Sequence, residues 1–149
     1  MGEWNAMIGV DIYGILSESE TVSGIIGTRI YPNDASAKET PLPCIIYELQ
    51  NLVLETTYDE EGTIDLATID FIVHCVARTY GKVQELYNAV MPVLVDYSGG
   101  RIEGIKHESS VEESIFNPNS DEAQYYKVEI TFKVWFYWKR YDLSETNSE

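Results

Sequence analysis

Asp70, His74 and Cys75 fall within the six residues DFIVHC, and an acid, an imidazole and a thiol so close together are the raw material of nucleophilic catalysis. A thiol becomes a good nucleophile when an imidazole holds it as the thiolate. The surrounding stretch, IDLATIDFIVHCVAR, alternates and is rich in β-branched and aromatic residues, which predicts a strand. Neighbours on a strand point to opposite faces, so Asp70, Ile72 and His74 share one side while Phe71, Val73 and Cys75 share the other. His74 and Cys75 therefore cannot form a thiolate–imidazolium pair. Cys75 lines up with Ile69, Phe71 and Val73, where a free cysteine behaves as a small core hydrophobe. His74 reads as a sheet-surface or interface histidine rather than a general base.

The remaining chemistry is thin. His107 is the only other histidine, and no Cys/His/Asp grouping has zinc-like spacing. The acidic DEEGTID at 59–65 lacks the one-apart ligands and closing glutamate of a calcium loop, so a solvated turn is the simpler reading. No phosphate-cradling glycine loop or nucleophile elbow occurs. These patterns point to no enzyme, no metal and no cofactor. A small enzyme or ligand-binding domain would need a deep pocket with convergent polar groups, which no part of the sequence announces.

The elements that position these residues follow from periodicity. MIGVDIYGILSESE places Ile8, Ile12, Ile15 and Leu16 at helical spacing and predicts a helix over about 6–18. PNDASAKETPLP is a polar surface loop. In CIIYELQNLVLETTY, Ile45, Tyr47, Leu49 and Val53 share one parity, with Glu48, Gln50 and Leu54 on the other, as on a half-buried strand. DEEGT at 59–63 turns the chain into the DFIVHC strand, and the pair forms an antiparallel hairpin. Thr79 caps a second helix running to about Tyr97, striped with Val83, Leu86, Tyr87, Val90 and Leu94 and ended by SGG at 98–100; Pro92 predicts a kink or an early last turn. RIEGIKHESSVEESIF is a polar third strand in which Gly104 marks a bulge.

YYKVEITFKVWFYWKR alternates almost without error, with Val128, Ile130, Phe132, Val134, Phe136 and Trp138 on one side. Lys127, Glu129, Thr131, Lys133, Trp135 and Tyr137 take the other. Core burial accounts for Phe136 and Trp138. Trp135 and Tyr137 either pack under the first helix or a loop, or form a subunit interface, where such residues are enriched. The expected fold is a single α+β domain over 1–140, a mainly antiparallel four-stranded sheet with two helices packed on one face, followed by a mobile tail over 141–149.

Composition agrees with a globular chain: 149 residues suit one domain, and 44% are hydrophobic. No apolar run approaches the roughly 20 residues that span a bilayer, no basic leader opens the chain, and two cysteines suit a reducing compartment. A net charge of −15 disfavours phosphate, which argues against an ordinary nucleic-acid or anionic-membrane binder. The charge is uneven: residues 1–60 carry 10 acids and 2 bases, 61–124 carry 11 and 4, and 125–149 carry 4 of each.

The run IIGTRIYPNDASAKETPLPCIIYE resembles the N-terminal signature of bacteriophage tail completion proteins, the tail terminator class of long-tailed phages. Its Gly-x-Arg-hydrophobic-Tyr-Pro segment is matched by Gly27, Arg29, Ile30, Tyr31 and Pro32, and its Leu-Pro strand by Leu42, Pro43, Ile45, Ile46 and Tyr47. IDFIVHCVARTYGKVQELYNAVMPVL and YYKVEITFKVWF are similar to the family's later strand, capped helix and closing strand, so the likeness spans most of 7–138. The long loop before the last strand and the acidic hairpin turn depart from the pattern. Another neck or tail component, a head-completion or tail-tube protein, is the alternative.

The resemblance implies a structural virion protein, assembled in the host cytoplasm. It would form a ring, by family likeness a hexamer, on the head-proximal end of the tail tube. The ring would stop tube growth, meet tail tube protein and the head–tail connector or stopper, and pass DNA without specific binding. Trp135, Tyr137 and His74 are the candidate subunit interface. Asp59, Glu60 and Glu61 are expected toward the lumen or the tube contact, because carboxylates repel sliding phosphate.

Overall fold

The alternation of the last strand organises the whole sheet. A computed structural model of the chain describes residues 2–32, 41–59, 62–116 and 123–137. Its elements in chain order are α1 (Gly2–Glu18), α2 (Glu20–Ile26), β1 (Ile30–Pro32), β2 (Cys44–Asp59), β3 (Gly62–Ala77), α3 (Tyr80–Leu94), β4 (Ile102–Phe116) and β5 (Ala123–Tyr137). The last strand lies inside the sheet, whose order is β1-β2-β3-β5-β4. β2–β3, β3–β5 and β5–β4 pair antiparallel, while β1 runs parallel to β2.

The expected four antiparallel strands and two helices thus become five mixed strands and three helices. Two short elements make the difference. β1 has three residues, too few to show a period, and it borders β2 through Ile30↔Ile45 and Tyr31↔Ile46. α2 lies in ETVSGII, where the sequence pattern predicts no element. Ser19 caps it by accepting the Val22 N–H, and Val22 and Ile26, four residues apart, are both buried.

Gly27 closes α2 at φ +61, where a side chain would be strained, and its N–H bonds the Ser23 carbonyl. Arg29 then donates from Nε to the Pro43 carbonyl at 2.8 Å and from Nη2 to the Ile25 carbonyl at 3.4 Å. The glycine and arginine of the Gly-x-Arg segment therefore join the end of α2 to the start of β2. Their task is folding.

One face of the sheet, the inner face, carries the core. Ile45, Phe71, Val73, Cys75, Ile130, Phe132, Val134 and Phe136 meet Ile8, Ile12 and Leu16 of α1, Val22 and Ile26 of α2, and Val83, Leu86, Val90 and Leu94 of α3 in one cluster. All three helices bury their side chains there, so packing on a single face holds as expected. Arg101 ties the start of β4 to α1 through Asp11 at 2.9 Å. α3 is capped by Thr79, which accepts the Lys82 N–H, and ends at Leu94, two residues after Pro92 and short of Tyr97. The residues of SGG instead turn into β4 through the Gly99↔Ile102 bridge.

β2 departs from simple alternation. Between Gln50↔Asp70 and Val53↔Thr68 it holds one extra residue, with Asn51 at φ 55 and its amide donating to Asp70 Oδ2 at 2.8 Å. Such a bulge reverses which side chains face inward. Ile45, Tyr47 and Leu49 face the core, but beyond the bulge Leu52 and Leu54 pack against it and Val53 is 49% exposed, contrary to its expected side. Register also shifts between Ile102 and Gly104, where a bulge is expected.

The left-handed backbone at Asn51 supports a direct test. Asn51→Val should cost about 2 kcal/mol in urea unfolding, since a β-branched residue is penalised there and the Asp70 hydrogen bond is lost. Asn51→Gly should cost clearly less; equal losses would refute the assignment.

Candidate assembly surface

The outer face of the sheet carries the candidate interface residues. Cross-strand pairing sets Thr68 beside Trp135 and Leu66 beside Tyr137, with Gly104 on the far side of Trp135. Both aromatics are half-buried, and since the helices occupy the inner face neither packs under α1. Tyr137 donates its hydroxyl to Glu103 Oε2 at 2.5 Å, which fixes the ring against β4. Phe136 is buried in the core as expected, and Trp138 lies outside the described residues.

His74 faces the same side as Trp135, several rungs along β3. Its Nε2 lies 3.0 Å from Glu48 Oε1 on β2, and it pairs across the sheet with Glu129 of β5. Nothing in the sequence could set Glu48 and Glu129 beside one another: each shows only that it shares its strand's outer parity, and register across three strands is a long-range property. Cys75 is fully buried on the inner face, and Cys44 is fully buried in a small cluster with Ile46 and Val76. Burial raises the Cys75 thiol well above its ordinary pKa, with the Cys44 sulfur adding to the rise, so it stays protonated and inert. The Asp–His–Cys segment holds no catalytic pair.

Of the hairpin acids, Asp59 lies at one end of the sheet. β2 ends at Asp59, paired with Gly62, while Glu60 and Glu61 lie outside the described residues, as do 33–40 of the polar loop and the tail over 141–149. Among the described residues β5 follows β3 as far as Leu66↔Tyr137, and four further β2–β3 pairs, from Thr56↔Asp65 to Asp59↔Gly62, continue beyond that rung. At about 3.4 Å per residue this arm extends roughly 13 Å past the described end of β5. The β4–β5 hairpin runs past Ala77↔Tyr126 at the opposite end, through Ile115↔Tyr125 and Phe116↔Ala123. Among the described residues no helix is long and apolar enough to cross a membrane.

Among the described residues the helices back one face of the sheet and leave the other uncovered. The solved structures include one of matching fold, titled "Virion of native gene transfer agent (GTA) particle", at a TM-score of 0.59 and 16% identity over 85% of this chain and 92% of that one. No curated protein matches the sequence significantly. The family model described as "Tail completion protein gp17" matches residues 10–137, and the chain belongs to that family. It is a structural protein of phage-like tails.

Proposed function

We propose that the protein forms a ring on the head-proximal end of the tail tube, ends tube growth and joins the tail to the head connector. The observation that carries this reading is the outer sheet face, where Trp135 and Tyr137 stand half-buried and, among the described residues, no helix lies over them. A closed ring needs such a surface on every subunit, together with strand edges that a neighbour covers. β4 is an edge strand of 15 residues and could take that cover. The role asked of the chain is positional, not catalytic.

Deleting the gene in its phage and measuring tails by negative-stain electron microscopy tests the proposal. Filled heads beside unattached, overlong tails are expected. Normal-length tails that fail to join would move the protein to the connector, and complete infectious particles would end the assembly reading. A self-polymerising filament of the purified chain would favour a tube protein instead.

The acidic arm adds a second element to the reading: Asp59, Glu60 and Glu61 face the lumen or the tube contact, where their charge keeps DNA from sticking. Reversing all three to lysine should slow DNA ejection or spoil joining, and unchanged infectivity would count against that placement.

A further inference from the structure

We propose that Glu48, His74 and Glu129 form a binding site for a divalent transition-metal ion, of which zinc is the natural probe, on the outer face of the sheet. The three side chains come from β2, β3 and β5, and one donor atom from each lies within 4.8 Å of the other two. His74 and Glu48 side chains are only 15% and 22% exposed, so the cluster is set into the face.

Charge argues for a cation. Two carboxylates converge on one imidazole, and carboxylates so close repel one another. Among the described residues the Glu129 side chain makes no hydrogen bond or ion pair, and the ammonium of Lys127, two residues away on its strand, is engaged by Glu113 at 3.1 Å. A divalent ion offsets both carboxylates and engages a ring nitrogen.

Donor chemistry narrows the ion. Calcium and magnesium prefer oxygen-only shells, whereas one imidazole nitrogen with two carboxylate oxygens suits zinc and its first-row neighbours. Ligand atoms around tetrahedral zinc stand about 3.3 Å apart, so small rotations of the two glutamates would close the site. The ion would pin three strands together and leave one coordination position facing away from the sheet.

Isothermal titration of the tag-free chain with zinc chloride at neutral pH, together with long-range proton–nitrogen spectra of the histidine rings, tests this. One saturable site is expected, with the His74 ring nitrogens shifting and those of His107 unmoved. Loss of one ligand should weaken binding at least as much as loss of a supporting hydrogen bond does, roughly 10–100-fold, in both His74→Ala and Glu129→Gln. Should His74→Ala fail to fold, Glu129→Gln, which keeps the side chain's size, and the wild-type spectra still decide. Absent or non-saturating binding, equal affinity in the folded variants, or a shift at His107 in place of His74 would overturn the site.

Discussion

A phage carrying Trp135→Thr in this protein is expected to lose most of its infectivity, while the purified variant unfolds within about 1 kcal/mol of the parent. Threonine keeps the strand preference of β5 and introduces no charge, so the sheet should tolerate it. Trp135 adds nothing to the cluster that the helices cover, since its neighbours are Thr68 and Gly104 on the open side. At a subunit contact, by contrast, a tryptophan anchor is commonly worth about 2 kcal/mol or more, and a closed ring repeats the loss at every junction. Plaque titre with electron microscopy of the particles measures one side and urea unfolding the other. Wild-type titre would remove Trp135 from the interface, and a large fall in stability would show that the residue serves the fold.

Phe132→Ala should behave in the opposite way. Phe132 is fully buried at the centre of β5, opposite Phe71 on β3 and 6.0 Å, edge to face, from the His107 ring. Truncating a buried phenylalanine costs about 3–5 kcal/mol in lost transfer energy and residual cavity, a large share of the roughly 5–15 kcal/mol that holds a domain of this size. The midpoint of urea unfolding should fall steeply, and any loss of infectivity should follow from the shortage of folded chain. A cost below about 1.5 kcal/mol, the range of tolerated volume-conserving swaps, would mean that the inner face collapses around the gap or that Phe132 is not at its centre.

These contrasting expectations rest on β5, the most legible element of the sequence. Its apolar and polar residues alternate from Lys127 to Val134, so both faces could be assigned before any partner strand was known. α3 was nearly as clear, because Thr79 and the Val83–Leu86–Val90–Leu94 stripe are local signals. β1 escaped detection because three residues cannot display a period, and its parallel pairing with β2 is set by contacts beyond its own sequence. α2 was hidden by Gly24 in its middle and by β-branched Thr21, Val22, Ile25 and Ile26, which favour other conformations when read alone. The bulge at Asn51 left a plausible alternation on both sides, and only the pairing with β3 reveals that Val53 points outward. The same limit applies to Glu48, His74 and Glu129. Their residue types were visible, but their convergence depends on three strands in register.

The position of β5 between β3 and β4 also gives protein synthesis a deadline. A ribosome delivers the helices, the β2–β3 hairpin and β4 before it delivers the strand that joins them. Until residues 123–137 emerge, β3 has an unpaired edge in what will become the middle of the sheet, and β4 has no neighbour at all. Open edges of this kind pair readily with other chains. A message truncated just before β5 would therefore yield an aggregation-prone fragment, not a smaller working domain. The last strand to be made admits the chain to its fold.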